Sequence, residues 1–107
     1  MALLGIDAGI TGVKAVVFSA EGKVLSAAYR EYALTSPRPG WSEIDSGEIK
    51  AAAFSVIAEA ARASGADIAA LAVSSMGEAV VPVDRSGRPL RSIISPLDAR
   101  ASEIAAE

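Results

Sequence analysis

The sequence contains no cysteine and no histidine. The first absence excludes disulfides. The second means that any chemistry done here rests on carboxylates, hydroxyls, lysine, arginine or backbone N–H groups, and it argues against a zinc centre. No basic run is present and the formal net charge is −3, which argues against a nucleic-acid surface. No apolar run approaches the roughly 20 residues of a membrane-spanning helix. The opening "MALLGIDAG" has no basic region, and Asp7 interrupts it too early for a signal peptide. These absences point to a soluble, cytoplasmic chain with neither nucleic acid nor membrane as partner. What is present is 107 residues that are 51% hydrophobic, enough for the core of one domain.

Hydrophobic patterning outlines an α/β chain. Residues 3–7 form a short apolar run, and residues 13–18, "VKAVVF", are rich in β-formers. "SAEGK" at 19–23 has turn chemistry, with Gly22 free to take a positive φ. Residues 24–34 read as a third strand, with Tyr29 and Tyr32 on opposite faces, and the short connections make an antiparallel meander of the three. Residues 35–45, with two prolines and a glycine, read as a loop. A helix follows, capped by Asp45 or Ser46, with Glu48 near its positive end. Ile49, Ala53, Val56 and Ala60 share one face of it, Lys50, Glu59 and Arg62 lie mostly elsewhere, and Gly65 ends it in a left-handed cap. "IAALAVSS" at 68–75 then reads as a buried strand, parallel to a neighbour because a helix precedes it. Residues 79–84 are a further strand-like run whose Pro82 suggests an edge or bulge. After a turn at 85–89, a final helix begins between Pro96 and Asp98 and runs to the chain end. There are no repeats.

One stretch has no obvious place in a packed core. "GIDAGITG", residues 5–12, sets Asp7 at a strand end before a glycine-containing turn and a second strand. Such a turn can aim backbone N–H groups at a phosphate. The acid can hold Mg²⁺ directly or through water, and Thr11 can donate its hydroxyl to a phosphate oxygen. The same Asp-x-Gly pattern also occurs in ordinary hairpins, so the stretch by itself leaves both readings open.

Read onward, "GIDAGITGVKAVVFSAEGKVL" resembles the first phosphate loop of the actin, Hsp70 and sugar-kinase superfamily. "PRPGWSEID" at 37–45 is similar to the Pro-Gly-Trp-x-Glu segment of the FGGY carbohydrate kinases. "VDRSGRPLRSII" followed by "DAR" resembles that family's strand-turn region and its Trp-x-Asp-x-Arg element. Four elements in order, nearly end to end, carry the resemblance, and "SSMGE" with "DARA" looks most like kinases of xylulose, glycerol or a quorum-signal sugar. The resemblance implies a partial ribonuclease H-like (actin-like ATPase) fold. It makes residues 1–107 the N-terminal part of the first actin-like domain, with the second domain absent. It implies ATP and Mg²⁺ as cofactors and a sugar or polyol as substrate. The parent would phosphorylate a hydroxyl and the piece alone would be inactive, because the family's nucleotide domain and later catalytic Asp lie outside it. It also implies self-association of the isolated piece and a homodimer for the parent.

Carried over residue by residue, the resemblance implies that Asp7 sits beside Mg²⁺ and the transferring phosphoryl group. Gly9, Thr11, Gly12 and Lys14 match positions near the ATP phosphates. Glu78 matches an acid that hydrogen-bonds substrate hydroxyls, and Asp98 and Arg100 match the element lining or bracing the sugar side. Arg100 also reads as a surface ion pair with Asp98 or Glu103, and Trp41 as a loop-packing anchor. Three positions depart from the pattern. Ile10 stands where the family usually has Thr, Gly77 where glycerol kinases carry Arg, and Pro96 where the family usually has Trp. Together they imply an unusual substrate or weakened activity. The opening motif is also similar to that of ATPase activators of the acyl-CoA dehydratase type. Those activators bind an iron–sulfur cluster through Cys and lack the "PGWSEID" and "DAR" elements. A non-catalytic binding module on the same fold is a third reading, since fold does not fix function.

Overall fold

The computed structural model describes residues 1–106. Three strands, β1 (Ala2–Ala8), β2 (Gly12–Ser19) and β3 (Val24–Glu31), form the antiparallel meander. A two-residue strand β4 (Glu43–Ile44) precedes the long helix α1 (Ser46–Ser64). Strand β5 (Ile68–Ser75) then runs parallel to β1, so the main sheet has the order β3-β2-β1-β5. β6 (Ile93–Ile94) pairs antiparallel with β4, and α2 (Ser102–Ala105) is a single turn.

Alternation in the strands decides which face is covered. Leu4 lies opposite Val17, Ile6 opposite Ala15 and Ala8 opposite Val13, and all but Ala8 are buried. The other face carries Leu3, Asp7 and Lys14 to solvent. α1 packs on the first set through Val56 and Ala60, both fully buried, with Ile49 and Ala53 half-buried beside them. Burying a valine as completely as Val13, Val17 or Val56 contributes about 1.5–3 kcal/mol. The helix begins and ends as its sequence dictates. The Asp45 carboxylate accepts from the N–H groups of Gly47 and Glu48, and Gly65 closes the far end at φ 59°.

Five expectations change. β3 ends at Glu31, so Tyr32 lies just beyond the strand; its side chain is buried while that of Tyr29 is exposed. The 35–45 loop contains β4, because Glu43 and Ile44 find partners in Ile94 and Ile93. The run at 79–84 is no strand: Val80 and Val83 make only isolated bridges, since Pro82 lacks a donor for a continuous ladder. The terminal helix is shorter, with Pro96 and Leu97 in a turn and only Ser102–Ala105 helical. β5 is also not buried as expected. α1 covers β1, β2 and β3 and stops short of it, leaving Leu71 60% and Val73 63% exposed.

Candidate active site

β1 and β5 end side by side. Asp7 lies opposite Ser74 and Ala8 opposite Ser75, and the Met76 N–H extends the pairing to the Ala8 carbonyl at 2.9 Å. Ligands of open α/β sheets gather at the carboxyl ends of parallel strands. A cleft of about 540 Å³ opens at this place. Asp7, Gly9 and Ile10 line it from the β1–β2 turn, and Ser75, Met76, Gly77 and Glu78 from the end of β5. Pro96 closes it from the segment after β6. The structure therefore brings Asp7, Gly9 and Glu78 together, as well as all three positions that depart from the family pattern.

Asp7 makes no hydrogen bond or ion pair among the described residues. Its carboxylate is exposed and also borders a second cavity of about 200 Å³ with Lys14, its cross-strand partner. Glu78 holds a left-handed backbone at φ 56°, the only non-glycine residue with positive φ among those described. Such a conformation costs energy for a residue with a Cβ, and it turns up most often at functional sites.

The β1–β2 turn is tightly built. The Gly9 N–H donates to the Gly12 carbonyl at 2.9 Å. Gly12 itself is fixed by sterics rather than by a ligand: a Cβ there would lie 2.4 Å from the Tyr29 hydroxyl and 2.6 Å from the Arg30 carbonyl oxygen. By contrast, the N–H groups of Ile10 and Thr11 have no acceptor among the described residues, and the Thr11 side chain is exposed. Free N–H groups in a turn beside an open cleft can receive an anion. Mg²⁺ keeps several waters and binds through one or two carboxylates plus substrate phosphates. The lone Asp7 carboxylate fits that demand; no cluster of three acidic ligands exists among the described residues.

Asp98 and Arg100 are not in the cleft. They join a separate cluster with Trp41, Ser42, Glu43 and Arg91. The Asp98 carboxylate accepts from the Ser42 N–H at 2.6 Å and from Nε and Nη2 of Arg100, each at 2.7 Å. Arg100 Nη2 also donates to Glu43 at 2.8 Å, and Arg91 Nη2 reaches the same carboxylate at 3.0 Å. Arg100 hydrogen bonding holds both carboxyls below the usual carboxylate range, and Asp98 in turn raises the guanidinium. The pairing of Arg100 with Asp98 is as expected. Glu103 takes no part. With its acceptors occupied, Asp98 braces the 41–43 segment against the chain near 100. Sequence reasoning singled out neither Glu43 nor Tyr32 for the site. For Glu43 the signal was its place after Pro-Gly-Trp; Tyr32 offered none beyond an aromatic near a strand end.

Comparison with known proteins identifies the family and the fold. The FGGY family of carbohydrate kinases, N-terminal domain, matches residues 2–107. The glycerol kinase of Bordetella pertussis is 39% identical over 104 residues, covering 94% of this chain and 20% of that protein. The glycerol kinase of Thermococcus onnurineus is 35% identical over 108 residues, covering 98% of this chain and 22% of its own length. Among solved structures, the xylulose kinase from Rhodospirillum rubrum superposes with a TM-score of 0.91 at 31% identity, covering 99% of this chain and 23% of that one. The chain thus spans about a fifth of the length of the curated relatives it matches.

Proposed function

The chain belongs to the FGGY family of carbohydrate kinases, within that family's N-terminal domain, and from this premise we propose that its parent protein transfers a phosphoryl group from ATP to a hydroxyl of a sugar or polyol. In this reading residues 1–107 are the first part of an actin-like domain, and a second domain completes the nucleotide site. The observation that carries the proposal is the cleft at the ends of β1 and β5, where an uncommitted Asp7 carboxylate, Ile10 and Glu78 meet; the N–H groups of Ile10 and of the adjoining Thr11 have no acceptor among the described residues.

Phosphoryl transfer asks for positioning and charge stabilisation more than for covalent chemistry by the protein. The N–H groups of Ile10 and Thr11 and the Thr11 hydroxyl receive phosphate oxygens. Lys14, beside Asp7 on the open sheet face, adds positive charge near them. Asp7 holds Mg²⁺, which when bound neutralises charge on the phosphates. Glu78 accepts a hydrogen bond from a substrate hydroxyl and so orients it. Asp98 and Arg100 act from behind, by fixing the segment that carries Pro96 to the cleft. Ile10, Gly77 and Pro96 leave this cleft poorer in polar groups than the family pattern, which favours a substrate other than glycerol. No helix among the described residues is long and apolar enough to cross a membrane; a cytoplasmic enzyme suits the reading.

A coupled assay of ADP release against a panel of pentoses, hexoses and polyols tests it. The full-length protein should turn over at least one of them, and the 107-residue chain none. A silent full-length protein would overturn the kinase reading. Turnover by the 107-residue chain would overturn its assignment as an incomplete part.

A further inference from the structure

Against the β1–β2 turn sits Tyr32. Its side chain is buried at 9% exposure, and it does not line the cleft that Gly9 and Ile10 line. Its hydroxyl donates its single proton chiefly to the carbonyl of Gly9 and shares it with that of Gly12 at 3.1 Å, while its own N–H donates to the Thr11 carbonyl at 3.2 Å. One residue from the end of β3 thus engages three of the four carbonyls in the turn.

Peptide geometry gives those bonds a consequence. In a trans peptide the C=O and the following N–H point in opposite directions. A Gly9 carbonyl held down toward Tyr32 therefore turns the Ile10 N–H up, away from Tyr32. Ile10 N–H is one of the two turn donors with no acceptor among the described residues. The Gly9 N–H to Gly12 carbonyl bond closes the turn, but the 9–10 peptide itself is held among the described residues only through the Gly9 carbonyl's bond to Tyr32, and next to a glycine that peptide can rotate once the bond is lost. Burial raises the Tyr32 phenol above its ordinary range, with smaller contributions from Tyr29 and Asp7, so the hydroxyl remains a donor near neutrality.

We propose that Tyr32 is a positioning residue for phosphate binding: its hydroxyl holds the Gly9–Gly12 turn so that the Ile10 N–H faces the cleft as a preorganised anion donor. The assignment rests on the proposed function in taking the anion to be an ATP phosphate. Fixed donors bind developing or resident charge without reorganisation, which is where their advantage over water lies.

The test is Tyr32→Phe in the full-length protein, which keeps the ring and removes the hydroxyl. KM for ATP and the Kd for ATP–Mg²⁺ by calorimetry should rise about 5- to 20-fold, while KM for the sugar stays within about twofold. A merely structural tyrosine would shift the melting temperature without separating the two KM values. In the unaltered protein, hydrogen exchange at the Ile10 amide should slow when ATP–Mg²⁺ is added; this readout needs no variant and no turnover. Unchanged ATP affinity in Tyr32→Phe, or an Ile10 amide indifferent to ATP, would overturn the proposal. A protein that binds ATP in this way but phosphorylates nothing in the panel would overturn the kinase reading and leave the Tyr32 assignment standing.

Discussion

The guanidinium of Arg100 lies over the Trp41 ring, with Cζ 3.7 Å from the ring centroid, while its nitrogens bind Asp98 and Glu43. A planar cation suits this position because it stacks with its face and donates with its edge at once. The contact joins the loop before α1 to the segment after β6, two stretches far apart in the chain.

Arg100→Lys should therefore not behave as a conservative change. Lysine keeps the charge but cannot stack flat on Trp41 and reach two carboxylates together. Differential scanning calorimetry should show a melting temperature lower by several degrees, whereas Arg38→Lys, whose Cζ sits farther from the same ring at 4.9 Å, should change little. Equal, negligible shifts for both would count against the cluster as a brace.

Gly12→Ala should lower stability by about 1–3 kcal/mol, the range for forcing atoms into a packed site. The Tyr29 ring can swing away from the new Cβ, but the Arg30 carbonyl, 2.6 Å off, belongs to the neighbouring strand and cannot move without disturbing the ladder. Urea denaturation reads the change directly; an unaltered midpoint would mean that the β2–β3 pairing is looser than described.

Asp7→Asn in the full-length protein should leave the fold intact, since the side chain is exposed and makes no bond within the described residues. It should cut kcat on the order of 10³-fold, roughly 4 kcal/mol of barrier, if the carboxylate charge is what orients Mg²⁺ and the phosphates. Near-normal turnover would reduce Asp7 to a turn residue.

Acid should destabilise the protein through three carboxylates outside the cleft. Hydrogen bonds from the Ser86 hydroxyl and the Arg88 N–H bring Asp84 from an ordinary 3.8 down to about 2. Asp98 and Glu43 are lowered through Arg100. A depressed folded-state value means stability that is present above the unfolded value and lost as pH falls through the folded one. Thermal midpoints should fall between about pH 4 and about pH 2, and Asp84→Asn should flatten part of that slope. A midpoint independent of pH across this window would refute the role of these pairs.

The 107-residue chain on its own should self-associate. The outer edge of β5 has no strand beside it among the described residues, and Leu71 and Val73 stand exposed next to it. Unpaired edges and apolar patches of this kind favour pairing with a second copy. Light scattering over a concentration series should show mass rising with concentration; a clean monomer at high concentration would argue against it.

Much of the local architecture was legible in the sequence by itself. The order β-β-β-α-β, a cap at Asp45 or Ser46, the Gly65 stop and the buried face of α1 through Val56 and Ala60 all follow from periodicity and capping chemistry, which act over a few residues; the structure chose Asp45. The "GIDAGITG" stretch marked Asp7, and the glycine turn marked the cleft. Only the tertiary structure decided the rest. β4 and β6 are two residues each and exist because Glu43–Ile44 and Ile93–Ile94 meet, a pairing no local pattern encodes. Residues 79–84 have the composition of a strand but lack a partner along their length, and a ladder needs two chains. The ion pair of Asp98 with Arg100 is local and was legible, but its links to Ser42, Glu43 and Trp41, more than fifty residues back along the chain, are not, since a carboxylate taken from water finds its remaining donors only when the chain folds. Tyr32 was one more aromatic at a strand end until folding put its hydroxyl under Gly9 and Gly12. Short-range preferences are written residue by residue, but the partner of a buried polar group is chosen only when the chain closes on itself.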